Sequence, residues 1–197
     1  MVEVLESKSQ FHRKTWIWIG AIALLWGMLD STFFFIAPEL LLTFLALSSL
    51  RRSLVAICLA IIGVALGGIF LTLWAAHFPE AARSTIGAIP GSDLHMIERA
   101  TELLENKRVW IPVLSVFFGI PTKIYFAAAG VSNFGVGPIL GLILPSVLVR
   151  YLIVTFIVYW LSSHILSKWP WAHKVVLFGV IWVIFYIAFF MGRVVTG

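Results

Sequence analysis

The chain has 197 residues, of which 61% are hydrophobic and 12% are charged, and its mean hydropathy is +1.02. Soluble domains carry about 25% charged and about 45–50% apolar residues, so this composition predicts an integral membrane protein. The length allows one domain of about five to seven membrane-embedded segments. The formal net charge of +5 is spread over all the polar segments, which argues against a nucleic-acid partner and fits loops near anionic lipid head groups.

The first polar stretch and the rest of the chain differ in composition. Residues 1–14 are polar, and the apolar segment over residues 16–29 that follows is short for a full membrane crossing. We therefore expect residues 1–14 to form a polar leader and residues 15–197 to form a single membrane domain.

Residues 16–50 contain two apolar runs with an interruption between them. Asp30 separates the runs, and Pro38 and Glu39 break the second one. A full membrane-spanning helix rarely carries such groups, because exposed backbone and charge are costly in lipid. The pattern predicts a helical hairpin that enters and leaves the membrane on one face.

Three other segments have the composition of membrane-spanning helices. They cover residues 53–77, 135–163 and 175–192. The first of them contains Gly63 and Gly67, a spacing that permits close helix approach in membranes. We interpret this pair as a packing face at least as readily as a functional element.

The only long polar stretch covers residues 78–108. Pro90 and Gly91 predict a turn, and the residues at 92–107 have a helical pattern with leucine and isoleucine tending to one side. Because its charges are mixed, this segment predicts an interfacial amphipathic helix and not a polybasic lipid anchor.

Residues 109–130 repeat the theme of the first hairpin. The apolar run is broken by Gly119 and Pro121, Lys123 follows the break, and small residues lead to Gly130. This segment predicts a second hairpin. The order hairpin, span, hairpin, span is typical of an inverted repeat, in which the hairpins open from opposite faces and their breaks meet near the middle of the membrane.

The long helix after the second hairpin contains a proline and an embedded arginine. Pro145 lacks an N–H group, so the carbonyl of Gly141 is left without its helical partner. We expect this helix to face a cavity between the hairpins, with Arg150 about a turn and a half beyond Pro145.

Four ionisable residues lie inside apolar sequence, and each would cost about 2.5–3.5 kcal/mol if exposed at the bilayer centre. They are Asp30, Glu39, Lys123 and Arg150. One interpretation is a partly hydrated site that holds a charged head group. The alternatives are a structural salt bridge, snorkelling of the long side chains to the surface, and, for Asp30, a helix cap at the membrane interface.

Catalytic motifs are missing from the sequence. The five histidines lack metal-ligand spacing such as HExxH, the serines lack a nucleophile elbow, and no phosphate-binding glycine loop occurs. We therefore expect no enzymatic activity, no catalytic residue, no metal and no cofactor.

Several motifs together resemble the DedA family, whose core is the VTT (SNARE-associated Golgi protein) domain. The resemblance covers roughly residues 30–160 and rests on "DSTFFFIAPELLL", "IIGVALGGIFLTLW" and "FFGIPTKIYFAAAGVSNF". It implies two re-entrant hairpins and movement of phospholipids or polyprenyl phosphate carriers across a membrane by a flippase or scramblase. The family's acidic residue after the first proline falls on Glu39, and the small-residue exit of the second hairpin falls on residues 127–130.

The sequence also departs from the family pattern. Many members carry an aspartate where this chain has Gly68, and the Arg-x-x-Pro-x-x-Arg motif is replaced, with Phe118 and Ile124 at the arginine positions. Lys123 resembles the cation of a subgroup with Pro-x-Lys. Because one of the usual carboxylates is absent, the resemblance does not extend to proton coupling.

Composition and pattern thus predict an all-α integral membrane protein, and the resemblance implies that it belongs to the bacterial cytoplasmic membrane. Two opposed re-entrant hairpins, about three transmembrane helices and one interfacial amphipathic helix form its expected fold. The expected function is translocation of membrane lipids between leaflets; a small-solute or ion transporter and a structural protein for envelope integrity are the alternatives. Membrane lipids are the expected partners, and a homo-oligomer is possible. The expected transport residues are Asp30, Glu39, Lys123 and Arg150, and the expected helix breaks are Pro38, Gly119, Pro121, Gly130 and Pro145.

Overall fold

A computed structural model of the protein describes residues 2–118 and 120–196, with the side chains of residues 16–117 and 120–191. Throughout these ranges the regular secondary structure is helical. A 3₁₀ turn, Val116–Phe118, follows α6, and a π-helical turn, Leu161–Ile165, follows α8. The α-helices in chain order are α1 Val2–Asp30, α2 Glu39–Ala46, α3 Leu50–His77, α4 Pro79–Gly87, α5 Leu94–Glu105, α6 Trp110–Ser115, α7 Thr122–Val131, α8 Val136–Trp160 and α9 Trp171–Thr196.

Three helical segments in the described chain are long and apolar enough to cross a membrane. They are Leu50–His77, Val136–Ile165 and Trp171–Met191. The apolar part of α1, Trp16–Asp30, is about 22 Å long at 1.5 Å per residue, less than the roughly 30 Å of a bilayer core. The predictions of an all-α fold and of three apolar helices of spanning length are confirmed.

The N-terminal and polar segments differ from the predicted boundaries. Helix α1 begins at Val2, so the predicted leader and the first apolar segment form one continuous helix. The polar stretch contains an additional helix, α4, which has Pro79 in its first turn, where the missing N–H costs nothing, and Glu80 near the positive end of the helix dipole. The turn at Gly91, with φ of +84°, then leads to α5.

The apolar side of α5 packs against the rest of the protein. Ile97, Ala100 and Leu104 are buried, whereas Leu94 is 48% exposed. The buried positions recur every three or four residues, as a helix face requires, and α5 packs mainly against α7. The predicted amphipathic helix is therefore present, but Ala100 belongs to its buried stripe and Leu94 does not.

Helices α1 and α3 run parallel and in close contact through glycine. A Cβ atom on Gly63 would lie 2.0 Å from the carbonyl oxygen of Leu24, and one on Gly67 would lie 2.5 Å from that of Met28. Any larger residue at either position would push the two backbones apart. This geometry supports the interpretation of the glycine pair as a packing face.

The apolar part of α1 starts at the N-terminal end of α3, and α2 ends at the same place. The guanidinium of Arg52 lies 5.7 Å from the ring centre of Trp16, and the Ser53 hydroxyl donates to the carbonyl oxygen of Leu42 at 2.6 Å. Helix α2 therefore returns the chain to the end of the molecule at which the apolar part of α1 starts.

The segment α6–break–α7 ends at the other end of α3. The Thr72 hydroxyl donates to the carbonyl oxygen of Phe126 at 3.1 Å, and a Cβ atom on Gly130 would lie 2.3 Å from the carbonyl oxygen of Thr72. Near the middle of α3, a Cβ atom on Gly68 would lie 2.6 Å from the Phe126 ring. The first helix–break–helix segment thus follows α3 from Arg52 to Trp74, whereas the second contacts the C-terminal half of α3.

Not all of the predicted breaks interrupt a helix. Pro38 and Pro121 precede the first residues of α2 and α7, whereas Gly130 and Pro145 lie inside α7 and α8. Gly130 serves close packing on α3 instead of a change of direction. Gly119 is outside the described residues.

Pro145 is also on a different side of α8 than expected. Pro145 and Gly141 are both exposed, and no atom lies within 4 Å of a Cβ added to Gly141. Arg150 is five residues further on, about 140° around the helix axis, and faces the protein interior. Helix α8 nevertheless lines a cavity, as expected, through Arg150, Val154 and Val158, while Pro145 lies on its exposed side.

A charged cavity between the two breaks

A cavity of about 610 Å³ lies where the two interrupted segments meet. All four predicted charged residues line it: Asp30 from the end of α1, Glu39 from the start of α2, Lys123 from α7 and Arg150 from α8. Much of the apolar lining comes from α8 and α9. Its members include Val154, Val158, Ile181, Trp182, Phe185 and Tyr186.

The first break, residues 31–38, has backbone groups that helical hydrogen bonds do not satisfy. The indole N–H of Trp26 donates to the carbonyl oxygen of Ile36 at 2.8 Å, and the ammonium of Lys123 donates to the carbonyl oxygen of Phe34. An unpaired carbonyl at membrane depth would cost several kcal/mol, so these side chains make the irregular backbone tolerable. Lys123 therefore connects the second interrupted segment to the first.

A third side chain, which comes from the last helix, accepts a hydrogen bond from the backbone of the first break. The backbone N–H of Ala37 donates to the phenol oxygen of Tyr186 at 3.0 Å. Ala37 directly precedes Pro38, which has no N–H of its own, and α2 then starts at Glu39. Tyr186 thus holds the backbone two residues before the predicted acidic site residue.

The second break lies between α6 and α7, and hydrogen bonds satisfy its backbone groups in a similar way. Arg150 donates from Nη1 to the carbonyl oxygen of Val116 at 2.9 Å, and the N–H of Ile120 donates to the carbonyl oxygen of Ser115 at 3.3 Å. The hydroxyls of Ser115 and Tyr125 also form a buried hydrogen bond. Each of the two cations in the cavity therefore binds a backbone carbonyl of a break.

Glu39 and Arg150 form a buried ion pair. Arg150 Nη2 lies 2.6 Å from Glu39 Oε1, and the two side chains are 18% and 9% exposed, respectively. Glu39 Oε2 and Arg150 Nε are buried and have no hydrogen-bond partner among the described residues. The structural salt bridge considered from the sequence is therefore present for this pair. One polar atom of each side chain remains available for a further hydrogen bond.

Asp30 and Lys123 do not form such a pair. Neither has an oppositely charged group within 4.0 Å in the described part of the chain. Asp30 is half-buried and is the last residue of α1, so it is not the cap of a helix start. A carboxylate is unfavourable at the negative end of a helix dipole, and the attraction of Lys123 and Arg150 acts on Asp30 only from beyond ion-pair distance.

Sequence reasoning missed the contributions of Trp26 and Tyr186. Both lie in apolar runs and were interpreted as parts of plain hydrophobic segments. The available signal was chemical, because an indole N–H or a phenol at membrane depth requires a hydrogen-bond partner. The choice of partner depends on which helices are neighbours, which the sequence does not reveal.

Among the described residues, no group of three or more His, Cys, Asp or Glu side chains is placed to hold a metal ion. Comparisons of the chain with protein-family models, with curated proteins and with solved structures return no match.

Proposed function

We propose that the protein moves membrane lipids between leaflets and that the charged cavity receives the lipid head group. The observation that carries this proposal is the composition of the cavity, whose lining combines two carboxylates and two cations with aromatic and aliphatic side chains. Such an arrangement matches a molecule with a zwitterionic or anionic head and a hydrocarbon tail. Its volume of about 610 Å³ is within the range of roughly 300–1,000 Å³ that is common for ligand sites.

The proposed membrane placement follows from the element lengths. Helices α3 and α9, and α8 with its π-helical turn, cross the bilayer, while the interrupted segments α1–α2 and α6–α7 are re-entrant and open from opposite faces. Helix α5 lies near the interface, with its charged side toward water and its apolar side on α7. The cavity is then close to mid-membrane, where a head group has to pass.

The resemblance to the DedA family supports the same proposal. The resemblance covers the region that contributes Asp30, Glu39, Lys123 and Arg150, and it suggests phospholipids or polyprenyl phosphate carriers as substrates and the bacterial cytoplasmic membrane as the location. Transport of small solutes or ions would account for the charged residues of the cavity. It would not explain why the rest of the lining is aromatic and aliphatic.

A second candidate, a structural membrane protein, is favoured by specific contacts. Lys123 and Arg150 bind backbone carbonyls, and Arg150 also pairs with Glu39. These contacts stabilise the two breaks whether or not a ligand enters. Under this candidate the charges are needed for folding alone, and their replacement should change folding and transport together.

Purified protein in liposomes with a head-group-labelled lipid in one leaflet separates these candidates. We expect the wild type to accelerate lipid exchange, and Glu39→Gln and Lys123→Met to abolish it while folded protein remains. Lys168→Met is the control, because Lys168 is exposed and does not line the cavity. If Glu39→Gln and Lys123→Met instead lose folding and abundance together, the structural function is favoured.

Arg150→Lys tests whether the guanidinium contacts the head group. Lysine keeps the charge but loses the planar fork that binds phosphate through two parallel hydrogen bonds. If Arg150 holds a lipid phosphate, Arg150→Lys should fold and yet transport poorly, with the larger defect for lipids that bear a phosphate monoester. Near-normal and equal rates for two head-group classes would restrict Arg150 to neutralising Glu39.

A further inference from the structure

We infer that α9 is a lateral gate of the charged cavity and that the hydrogen bond between Tyr186 and Ala37 keeps this gate closed. The inference rests on the proposed function, since it describes how a lipid in the bilayer reaches the cavity. It assigns a positioning role to a residue that lies outside the region resembling the DedA family.

The first observation is how lightly α9 is attached. No residue from Trp171 to Met191 is buried, although α9 supplies much of the apolar wall of the cavity. Its ring contacts are mostly edge-on or tilted, such as Phe44 with Phe178 at 5.8 Å and Phe35 with Phe190 at 6.1 Å between ring centres. A helix that buries so little of its surface can separate from its neighbours at a small free-energy cost.

The second observation is the distribution of polar contacts along α9. Near its start, Lys174 donates to the carbonyl oxygen of Ser162 at 2.8 Å, and this contact lies away from the cavity. Beside the cavity, Tyr186 accepts the N–H of Ala37. The start of α9 is thus fixed to the π-helical turn after α8, and among the hydrogen bonds of the described residues the Tyr186 contact is the one that breaks when the rest of the helix moves outward.

The position of Ala37 links this movement to the charged site. Ala37 precedes Pro38 and Glu39, so loss of the Tyr186 contact frees the backbone at which α2 begins. Glu39 then has more freedom to leave Arg150 and exchange this partner for a head group. Opening of the cavity toward lipid is therefore coupled to weakening of the Glu39–Arg150 ion pair.

The test measures access to the cavity without requiring lipid movement. In a Cys58→Ser background, a single cysteine at Val154, which lines the cavity, is labelled in liposomes by a bilayer-soluble maleimide. Tyr186→Phe keeps the ring and removes the hydrogen bond, which is worth about a three- to tenfold change in population. We therefore expect labelling of Val154→Cys to be about three to ten times faster with Tyr186→Phe.

Tyr159→Phe is the control, because the Tyr159 hydroxyl makes no hydrogen bond to any residue that the structure describes and the residue does not line this cavity. Equal labelling rates in the Tyr186→Phe and Tyr159→Phe proteins would overturn the gate. A wild type that moves no lipid would contradict the proposed function, while the labelling rates would still decide whether α9 opens.

A crosslink across the gate supplies the converse test. In the Cys58→Ser background, cysteines at Phe35 and Phe190, joined by a short reducible crosslinker that reacts with two thiols, should hold the moving part of α9 against the first break and stop lipid exchange, and reduction should restore it. Lipid exchange that continues at full rate in the crosslinked protein would rule out movement of α9 as the access route.

Discussion

At the scale of single residues, some polar groups of the cavity are bonded to the protein itself, and others have no hydrogen-bond partner among the described residues. Arg150 directs one nitrogen to Val116 and another to Glu39, and Lys123 directs its ammonium to Phe34. Desolvating a charge costs several kcal/mol, and these bonds recover part of that cost. Asp30 has no oppositely charged group within ion-pair distance in the described chain, so Lys123 and Arg150 offset the cost of its charge only from further away.

The Glu39–Arg150 pair predicts a specific pattern of stabilities. Arg150→Met leaves a carboxylate buried without its cation, and loss of one partner of a buried pair costs about 3–5 kcal/mol. We expect a clear fall in the free energy of unfolding for Arg150→Met. The double variant Glu39→Gln with Arg150→Met should recover part of the loss, because a neutral amide replaces the isolated charge.

Denaturation of the purified proteins in detergent checks this pattern. Lys174→Met is the control for loss of a cation that binds a carbonyl but no carboxylate. A double variant that is no more stable than Arg150→Met would show that the ion pair has little coupling energy and that the bond to Val116 dominates.

At the scale of elements, the positions of the breaks depend on how α1 and α7 pack against α3. Gly63 and Gly67 on α3 let α1 approach to backbone distance, and Gly130 on α7 does the same for α7; this approach brings the end of α1 near the start of α7. The charged residues meet because these helices meet. A change in helix spacing should therefore disturb the cavity from a distance.

Gly63→Ala tests this dependence. Its Cβ would lie 2.0 Å from the Leu24 carbonyl oxygen, so α1 and α3 must separate, at a cost of about 1–3 kcal/mol. Gly141→Ala is the matched control, because nothing lies within 4 Å of its Cβ and alanine favours helix by up to about 1 kcal/mol. Thermal unfolding should show loss of stability for the first variant and none for the second, and equal stability of the two would contradict the close packing.

At the scale of the whole molecule, the sequence was informative about elements and less so about their contacts. Hydropathy located the three apolar helices, and the prolines located the starts of α2 and α7, because both signals act locally. The sequence predicted that α8 faces the cavity, but it did not predict that Pro145 lies on the exposed face of this helix. That face is determined by the rotation of α8 against its neighbours, which depends on packing.

The same distinction holds for the charged residues of the cavity. Their cost in lipid identified Asp30, Glu39, Lys123 and Arg150 as a set, and the structure brings them to one cavity. Their partners were harder to predict, because two of those partners are carbonyl oxygens, which every residue has. The contact between Ala37 and Tyr186 spans 149 positions and leaves no trace in local pattern.

The proposed arrangement of the interrupted segments predicts which residues reach water on each side of the membrane. In the structure, Trp16 and Arg52 meet at the N-terminal end of α3, whereas Gly130 packs against Thr72 near the other end. If α3 crosses the bilayer, both ends of the first segment face one compartment and both ends of the second face the other. Single cysteines at Trp16 and Arg51 report on the first segment, and those at Arg108 and Ser132 report on the second, in a Cys58→Ser background because Cys58 is exposed. A membrane-impermeant maleimide applied to intact and then permeabilised cells should label one pair at once and the other only after permeabilisation. Labelling of Trp16→Cys and Arg51→Cys from different sides would mean that the first segment crosses the membrane, and the two breaks would then have no shared depth at which to form a lipid site.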